Sequence, residues 1–521
     1  MNVYMTDANI TRTIQKVWQA DLENGYYQNP ILHADYSDPD VIRVGKDYYM
    51  VSSSFHMTPC LPILHSTDLV NWNIINHVAD SLPFESYDKP RHGDGVWAPS
   101  IRYHDEKFWV FFGAPDEGIF MSTASDPAGE WTPLHLVKKT KGWIDTCPFW
   151  DDDGQAYLVS AFAKSRIGFK SILHISRMNP DGTELLDEGV HVFDGNENHP
   201  TIEGPKLYKR NGYYYIFAPA GGVATGWQTI LRSKNIFGPY EDKIVLHQGS
   251  TDVNGPHQGG WVETESGESW FIHFQDKDAY GRIVHLQPMW WEEDWPVIGQ
   301  NQNEDGIGEP VLRWGKPRSL VSSEIMTPAM SDDFKAGKLG LQWQWQANCK
   351  PQWYELKNGQ LRLHSIGHSG EANLYHIPNV MTQKFPAETF KVTTKLRFVP
   401  ETEQDRTGLL IIGKEYASIE VRKQKGQLGV YYVTGDETQI DIAVNFGTII
   451  GNELFLHIEV NEGAICQFGY SEDGINFTKV DEVFKATPGQ WVGAQIGLYC
   501  FNLDQEASKG YADFDYFSVH T

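Results

Sequence analysis

The sequence predicts an all-β protein in two parts, a five-bladed β-propeller over residues 1–325 followed by a β-sandwich over 326–521. Three observations lead there. Helical periodicity is nearly absent from the first three hundred residues, where DG, NG and GP turn signals separate short aromatic-rich runs. A unit recurs five times in that stretch. Beyond it the texture changes to longer strands of strictly alternating polarity.

The recurring unit is a polar residue, a short apolar run, a Gly or Asp turn and an aromatic-rich strand. Its copies read DPDVIRVGKDYYMVSSS from Asp38, APSIRYHDEKFWVFFG from Ala98, DTCPFWDDDGQAYLVSA from Asp145, EGPKLYKRNGYYYIFAPA from Glu203 and HQGGWVETESGESWFIHF from His257. Their starts lie roughly 50 to 60 residues apart, enough for a four-stranded blade and its loops. Third strands follow in ILHSTDLVNW, IFMSTASDPAGEW and ILRSKNIFGPYE. Asp151, Asp152 and Asp153 form an acidic hairpin turn with DG at its tip.

After WEEDWPVIGQNQNEDGIGEPVLRWGKPRS the pattern stops in a loop rich in Gly, Pro and Asn. From Ser331, FKVTTKLRFV, LLIIGKEYASIEVRK, QLGVYYVTG, LFLHIEV and AQIGLYCFN alternate as antiparallel strands with one buried face do. The opening SDDF and the closing ADFDYFSVHT are expected to pair as terminal strands. Asp333 and Asp513, on those segments, are read as ordinary surface acids before a calcium site between the strands.

The 521 residues exceed one ordinary core, consistent with two domains. A net charge of −25 opposes nucleic acid or an anionic membrane as partner and suits a neutral substrate. Homodimers or tetramers through the sandwich stay open. Aromatics at 13% suit β-cores and also stacking on sugar rings. The five cysteines, Cys60, Cys147, Cys349, Cys466 and Cys500, are scattered and form no CxxC, so neither a disulfide framework nor a zinc site is expected. The N-terminus lacks an apolar h-region behind a basic start, which predicts a cytoplasmic, soluble protein unless a signal peptide has been removed.

In a propeller the first strand of each blade lines the central channel. The leading positions hold Asp38, Ala98 beside Trp97, Asp145, Glu203 and His257. Packing alone would favour small or apolar residues there, because converging carboxylates suffer desolvation and mutual repulsion. Three acids at equivalent offsets therefore signal chemistry. Hydrolysing a glycoside with inversion needs one carboxylate to deprotonate water and one carboxyl to protonate the leaving oxygen, about 6.5 to 9.5 Å apart. A third acid beside the donor keeps it protonated near neutrality.

The segment NPILHADYSDPDVIRVGKDYYMVSSSFHMTPCLPILHSTDLVNW, with VWAPSIRYH, IDTCPFWDDDG, EGPKLYKRNGYYYIFAPAGG and YGRIVHLQPMWWEEDWPVIG, resembles glycoside hydrolase family 43, the xylosidase and arabinofuranosidase family. The resemblance covers essentially the whole chain, the second half looking like the concanavalin-like (lectin-like) sandwich of two-domain members. It implies Asp38 as general base, Asp145 as modulator and orienter, and Glu203 as general acid. It further implies His257 as an axial histidine that in many members coordinates a calcium ion, Arg282 directed at sugar hydroxyls or the base, Trp97 and Phe55 as walls of the sugar subsite, and Phe501 as a contact from the second domain. SDPD stands where many members have PDPS or ADPS, so strand alternation would place Asp40 beside Asp38. IDTCP replaces the more usual IDPS or IDAS.

The activity these readings imply is an inverting exo-glycosidase releasing terminal β-1,4-linked xylose from pentose oligosaccharides. An α-L-arabinofuranosidase, or an enzyme with both activities, is the alternative inside the family. Retaining fructosidases, also five-bladed, carry an RDP motif and a glutamate beside cysteine, where this chain reads IDTCP and EGP. A non-catalytic carbohydrate-binding protein is the alternative of another class.

Overall fold

The computed structural model of the protein describes residues 17–318, 324–368, 370, 372–439, 441–504 and 508–521. The N-terminal start on which the leader reading rests lies outside them. Two compact units divide the chain. One comprises Ala20–Glu85 and Arg91–Thr327, and the other includes Ser86–Pro90 and Pro328–Thr521. Ser86–Pro90 thus departs from a single boundary near 325, because a long loop groups by contacts and not by chain order. Among the described residues no helix is long and apolar enough to cross a membrane.

The first unit is a propeller of five four-stranded antiparallel blades. Blade 1 runs Asp40–Val44, Asp47–Val51, Cys60–Ser66 and Asn73–Ala79, and blade 2 runs Trp97–His104, Lys107–Ala114, Gly118–Ala124 and His135–Lys139. Blade 3 runs Trp143–Trp150, Ala156–Phe162, Ile172–Met178 and Val190–Asp194, and blade 4 runs Lys206–Arg210, Tyr213–Ala220, Trp227–Ser233 and Glu241–His247. Blade 5 runs His257–Glu263, Ser269–Asp276, Arg282–Glu292 and Trp295–Ile298. Tight hairpins join first to second strands. At Asn211-Gly212 both turn residues are left-handed (φ 51° and 76°), the geometry whose twist matches the flanking strands. Burial falls outward: Ala156–Phe162 is wholly buried, whereas Val190–Asp194 is exposed or half-buried throughout.

The ring closes without a covalent bond. Tyr26–Gln28 pairs with Arg313–Gly315, Leu32 bridges Val284, and the Tyr27 hydroxyl and Asn29 amide both donate to Leu286 O (2.7 and 2.8 Å). The chain's beginning is thereby tied to blade 5.

Under the mouth, one guanidinium joins the blades. Arg102 of blade 2 donates from Nη1 to Asp40 Oδ2 of blade 1 (2.7 Å) and from Nη2 to Cys147 Sγ of blade 3 (2.9 Å). Its Cζ lies 5.1 Å from the Tyr208 ring of blade 4, and Tyr208 Oη accepts from Trp261 N of blade 5 (3.1 Å). Asp40 has no exposed surface and also accepts from Ile101 N (2.9 Å). It is a structural anchor, which removes the ambiguity raised by its nearness to Asp38.

The second unit is a sandwich of two antiparallel sheets. One sheet is built around Val380–Lys384, Gln495–Asn502, Asp405–Ile412, Glu415–Gln424, Gln427–Asp436 and Ile442–Ile449. The other is built around Tyr354–Lys357, Gln360–His364, Tyr511–His520, Phe390–Val399, Glu453–Asn461, Ile465–Ser471 and Thr478–Lys485. Phe390–Val399 alternates buried and half-buried or exposed residues, the one-sided pattern read from its sequence. The terminal segments meet through an antiparallel bridge between Asp332 and Phe517. Asp513, expected at the surface, is buried and paired with Arg362 through two hydrogen bonds (2.7 and 2.8 Å), because it belongs to an internal strand. Asp333 accepts from Lys335 N within its own turn.

Removing one partner of a buried ion pair strands the other charge. Arg102→Leu, which leaves Asp40 uncompensated, is expected to destabilise the propeller by about 3–5 kcal/mol. Urea denaturation followed by tryptophan fluorescence checks this, and an unchanged midpoint would show that the pair is dispensable.

Candidate active site

The repeat places one residue per blade in a left-handed backbone conformation just before or within the inner strand. These are Asp38 (φ 54°), Ala98 (33°), Asp145 (58°), Gly204 (57°) and Gln258 (35°). Non-glycine residues rarely hold such angles, so their recurrence at four of the five positions marks a constrained rim. Asp38, Ala98 and Asp145 occupy the offset read from the sequence. Glu203 and His257 stand one residue earlier than the backbone equivalents Gly204 and Gln258. Gly204 admits no side chain: a Cβ would lie 2.6 Å from Gln258 Cγ.

Asp38 is nearly buried, at 5% exposure. Its Oδ2 accepts from the Ser37 and Ser53 hydroxyls (2.8 and 2.5 Å), and Arg282 Nη1 approaches both carboxyl oxygens (3.3 and 3.4 Å). Ser53 Oγ accepts in turn from Ala98 N, and Ser37 Oγ from Arg282 Nη1 (2.8 and 2.7 Å). Asp35 Oδ1 holds the Arg282 backbone N–H (2.9 Å). These contacts fix the carboxyl plane and crowd Oδ2, leaving Oδ1 the freer oxygen.

Asp145 is 2% exposed, and its Oδ2 accepts from Gly204 N (2.8 Å) and Gln258 Nε2 (3.3 Å). Burial, then the negative charges of Glu203 and Asp38, hold its carboxyl well above the usual carboxylate range. The sequence reading has Asp145 act on Glu203. The structure places the effect on Asp145 itself, which holds its proton more tightly than an ordinary carboxyl. Glu203 carries the exposure, its side chain 25% accessible, and its Oε1 is hydrogen-bonded to His257 Nε2 (2.9 Å).

Trp97 and Phe55 meet edge-on, ring centroids 6.5 Å apart. Trp97 is half-buried, with Nε1 donating to Gly93 O (2.8 Å) and the Arg166 guanidinium 5.5 Å from its ring centre. Phe55 is buried and exchanges backbone hydrogen bonds with Val96. This approach requires Gly95, where a Cβ would lie 2.3 Å from Phe55 O. Arg282 lies 4.9 Å from the Phe274 ring centre and 6.0 Å from that of Phe55. Phe55, Trp97, Arg282, Asp38, Asp145, Glu203 and His257 thus form one connected group.

One expectation changes. Phe501 has no exposed surface and packs in the sandwich's apolar cluster with Tyr499, Leu374 and Leu410. An aromatic on an internal strand is core, and it has no face to offer a sugar. His257 is fully buried, its Nε2 engaged by Glu203 and its Nδ1 without a hydrogen-bond partner. No group of three or more His, Cys, Asp or Glu able to hold a metal occurs among the described residues, so a calcium ion at His257 would take most of its six to eight ligands from water. Sequence reasoning missed Ser37, Ser53 and Gln258, whose only signal was adjacency to the repeated acids or strands.

A five-bladed propeller whose rim presents an anchored aspartate, a buried aspartate of raised pKa and a more accessible glutamate, flanked by aromatic and arginine side chains, is the arrangement of a glycoside hydrolase. The profile of glycosyl hydrolases family 43 matches residues 27–296, and that of the beta-xylosidase C-terminal concanavalin A-like domain matches 331–520. The chain belongs to glycoside hydrolase family 43. It is 42% identical over 487 residues to a putative beta-xylosidase of Xylanibacter ruminicola, covering 92% of this chain and 87% of that one. It is 28% identical to the non-reducing end alpha-L-arabinofuranosidase BoGH43B of Bacteroides ovatus, covering 96% of each. Among solved structures, a bifunctional GH43-CE protein of Bacteroides eggerthii is 27% identical with a TM-score of 0.83. The match covers 97% of this chain and 64% of that longer one.

A carboxyl whose folded pKa is raised contributes stability at low pH that is lost as pH rises through the folded value. Asp145→Asn is therefore expected to raise the melting temperature, by an increment over wild type that grows with pH above 3.8, and to lower turnover by about 10²-fold. Paired thermal melts across pH check this; an increment independent of pH would refute the buried-proton reading.

Proposed function

We propose that the chain is an inverting, exo-acting β-xylosidase that releases terminal β-1,4-linked xylose from xylo-oligosaccharides. The observation that carries this reading is the division of labour among the acids. Asp38 is oriented by two hydroxyls and Arg282 to deprotonate water. Glu203, the more accessible acid, protonates the departing oxygen. Water adds to the anomeric carbon as the glycosidic C–O bond breaks. The proton taken by Asp38 and the proton given by Glu203 leave the site one exchange from its starting state. Trp97 supplies a ring face for the CH groups of the sugar, and Arg282 carries donors for its hydroxyls. The xylosidase relative, more alike than the arabinofuranosidase, supports xylose.

The second reading is α-L-arabinofuranosidase, favoured by the Bacteroides ovatus relative matched along nearly its whole length. A binding protein without turnover would not need a buried aspartate of raised pKa beside a more accessible glutamate.

Hydrolysis of p-nitrophenyl β-D-xylopyranoside and p-nitrophenyl α-L-arabinofuranoside, measured side by side, tests these readings. The xyloside is expected to turn over faster, with α-xylose as the first product by proton NMR. Asp38→Asn and Glu203→Gln are each expected to cost about 10²–10⁴-fold in kcat. A preference for the arabinoside reverses the substrate assignment, and β-xylose as first product removes Asp38 as water-activating base.

A further inference from the structure

Below the acids, the inner strands place Asp40, Ser100, Cys147 and Lys206 in blades 1 to 4, each buried to 1% exposure or less. Blade 5 contributes Gly260, where a Cβ would lie 2.7 Å from Asp40 Oδ1. Lys206 does not stay in its own sector. From blade 4 its Nζ donates to Pro99 O (2.9 Å) and Ser100 Oγ (2.8 Å) of blade 2, which is not a neighbouring blade, so the side chain crosses the axis.

We propose that Lys206 is a positioning residue for the hydrolysis, its ammonium balancing the charge of the Asp145–Glu203 pair from beneath. This rests on the reading of those acids as the proton-transferring machinery.

The charge ledger of the channel makes the case. Near the axis, the titratable or charged groups on the inner strands and their leading turns are Asp38 and Asp40 in blade 1, Arg102 in blade 2, Asp145 and Cys147 in blade 3, Glu203, Lys206 and Tyr208 in blade 4, and His257 in blade 5; Arg43, Tyr103, His104, Lys209, Arg210 and Glu263 lie farther along the same strands. Arg282 enters from the third strand of blade 5. Asp40 pairs with Arg102 and Asp38 with Arg282. Glu203 is held by His257 (2.9 Å), whereas Lys206 makes no ion pair of its own among the described residues and its contacts are neutral oxygens. A fully buried ammonium is costly without a compensating negative field, and the carboxyls at the mouth supply one. Lys206 in turn favours the carboxylate form of Asp145.

The test is the pH dependence of kcat and kcat/KM for full-length Lys206→Met, Lys206→Gln and Lys206→Arg on whichever of the two aryl glycosides the wild type hydrolyses. Infrared absorption of the protonated carboxyl in the resting enzyme is followed in parallel. Removing the cation disfavours every carboxylate above it. Both limbs of the profile should therefore move to higher pH by about one unit in the Met and Gln variants, with a roughly tenfold loss on the acid side and a small change at the new optimum. The protonated-carboxyl band should persist to correspondingly higher pH. Lys206→Arg, which keeps the charge, should hold the wild-type limbs. Limbs and band that stay in place while activity or melting temperature falls would reduce Lys206 to a packing plug and overturn the proposal. If the neutral variants do not fold, Ser100→Ala, which frees the ammonium from one anchor, must shift the band in the same direction or the proposal fails. Absence of turnover by the wild type would count against the glycosidase reading alone, since the infrared band reports on Lys206 without catalysis.

Discussion

The Arg102–Asp40 pair is the constraint on which the rest of the propeller depends. A ring of five independent sheets has little sequence-local reason to hold one spacing at its axis, where inner strands converge and side chains have least room. Arg102 solves this with a planar fork whose donors reach two other blades at once, while its face lies over Tyr208 of a third. Burial by itself would lower the tendency of the guanidinium to hold its proton. Asp40, Cys147 and Tyr208 together outweigh that and raise it. The chain thus spends a buried ion pair, a device often near neutral for stability, where its rigid directionality sets the geometry of the mouth above.

That geometry has a thermodynamic cost concentrated at the rim. Asp38 and Asp145 are held in left-handed backbone conformations, and Asp145 is buried against two like charges. Each feature disfavours folding, and strained backbones and perturbed carboxyls of this kind cluster at functional sites. The serines, Arg282, Gln258 and Lys206 offset these costs locally. Stability and function pull against each other most strongly at Asp145, where an uncharged substitute relieves the repulsion that proton retention requires.

The sequence by itself determined the architecture and the acids. Five copies of a strand-turn-strand unit can bury their apolar faces only against one another, so the repeat dictates a closed ring, and acids before three inner strands must converge. Strict alternation in Phe390–Val399 dictated a strand buried on one face. These properties are local in the chain, and local pattern suffices to read them. Only the tertiary structure decided the rest. It set the repeat one residue later in blades 4 and 5, because the left-handed turn, and not the acid, defines equivalence. It turned Asp40 into an anchor for Arg102, sent Lys206 across the axis and buried Phe501 in the sandwich core. In each case the deciding partner lies elsewhere in the chain, 62 residues away for Asp40 and 107 for Lys206, and the direction of a side chain toward such a partner leaves no trace in hydrophobic periodicity or local spacing.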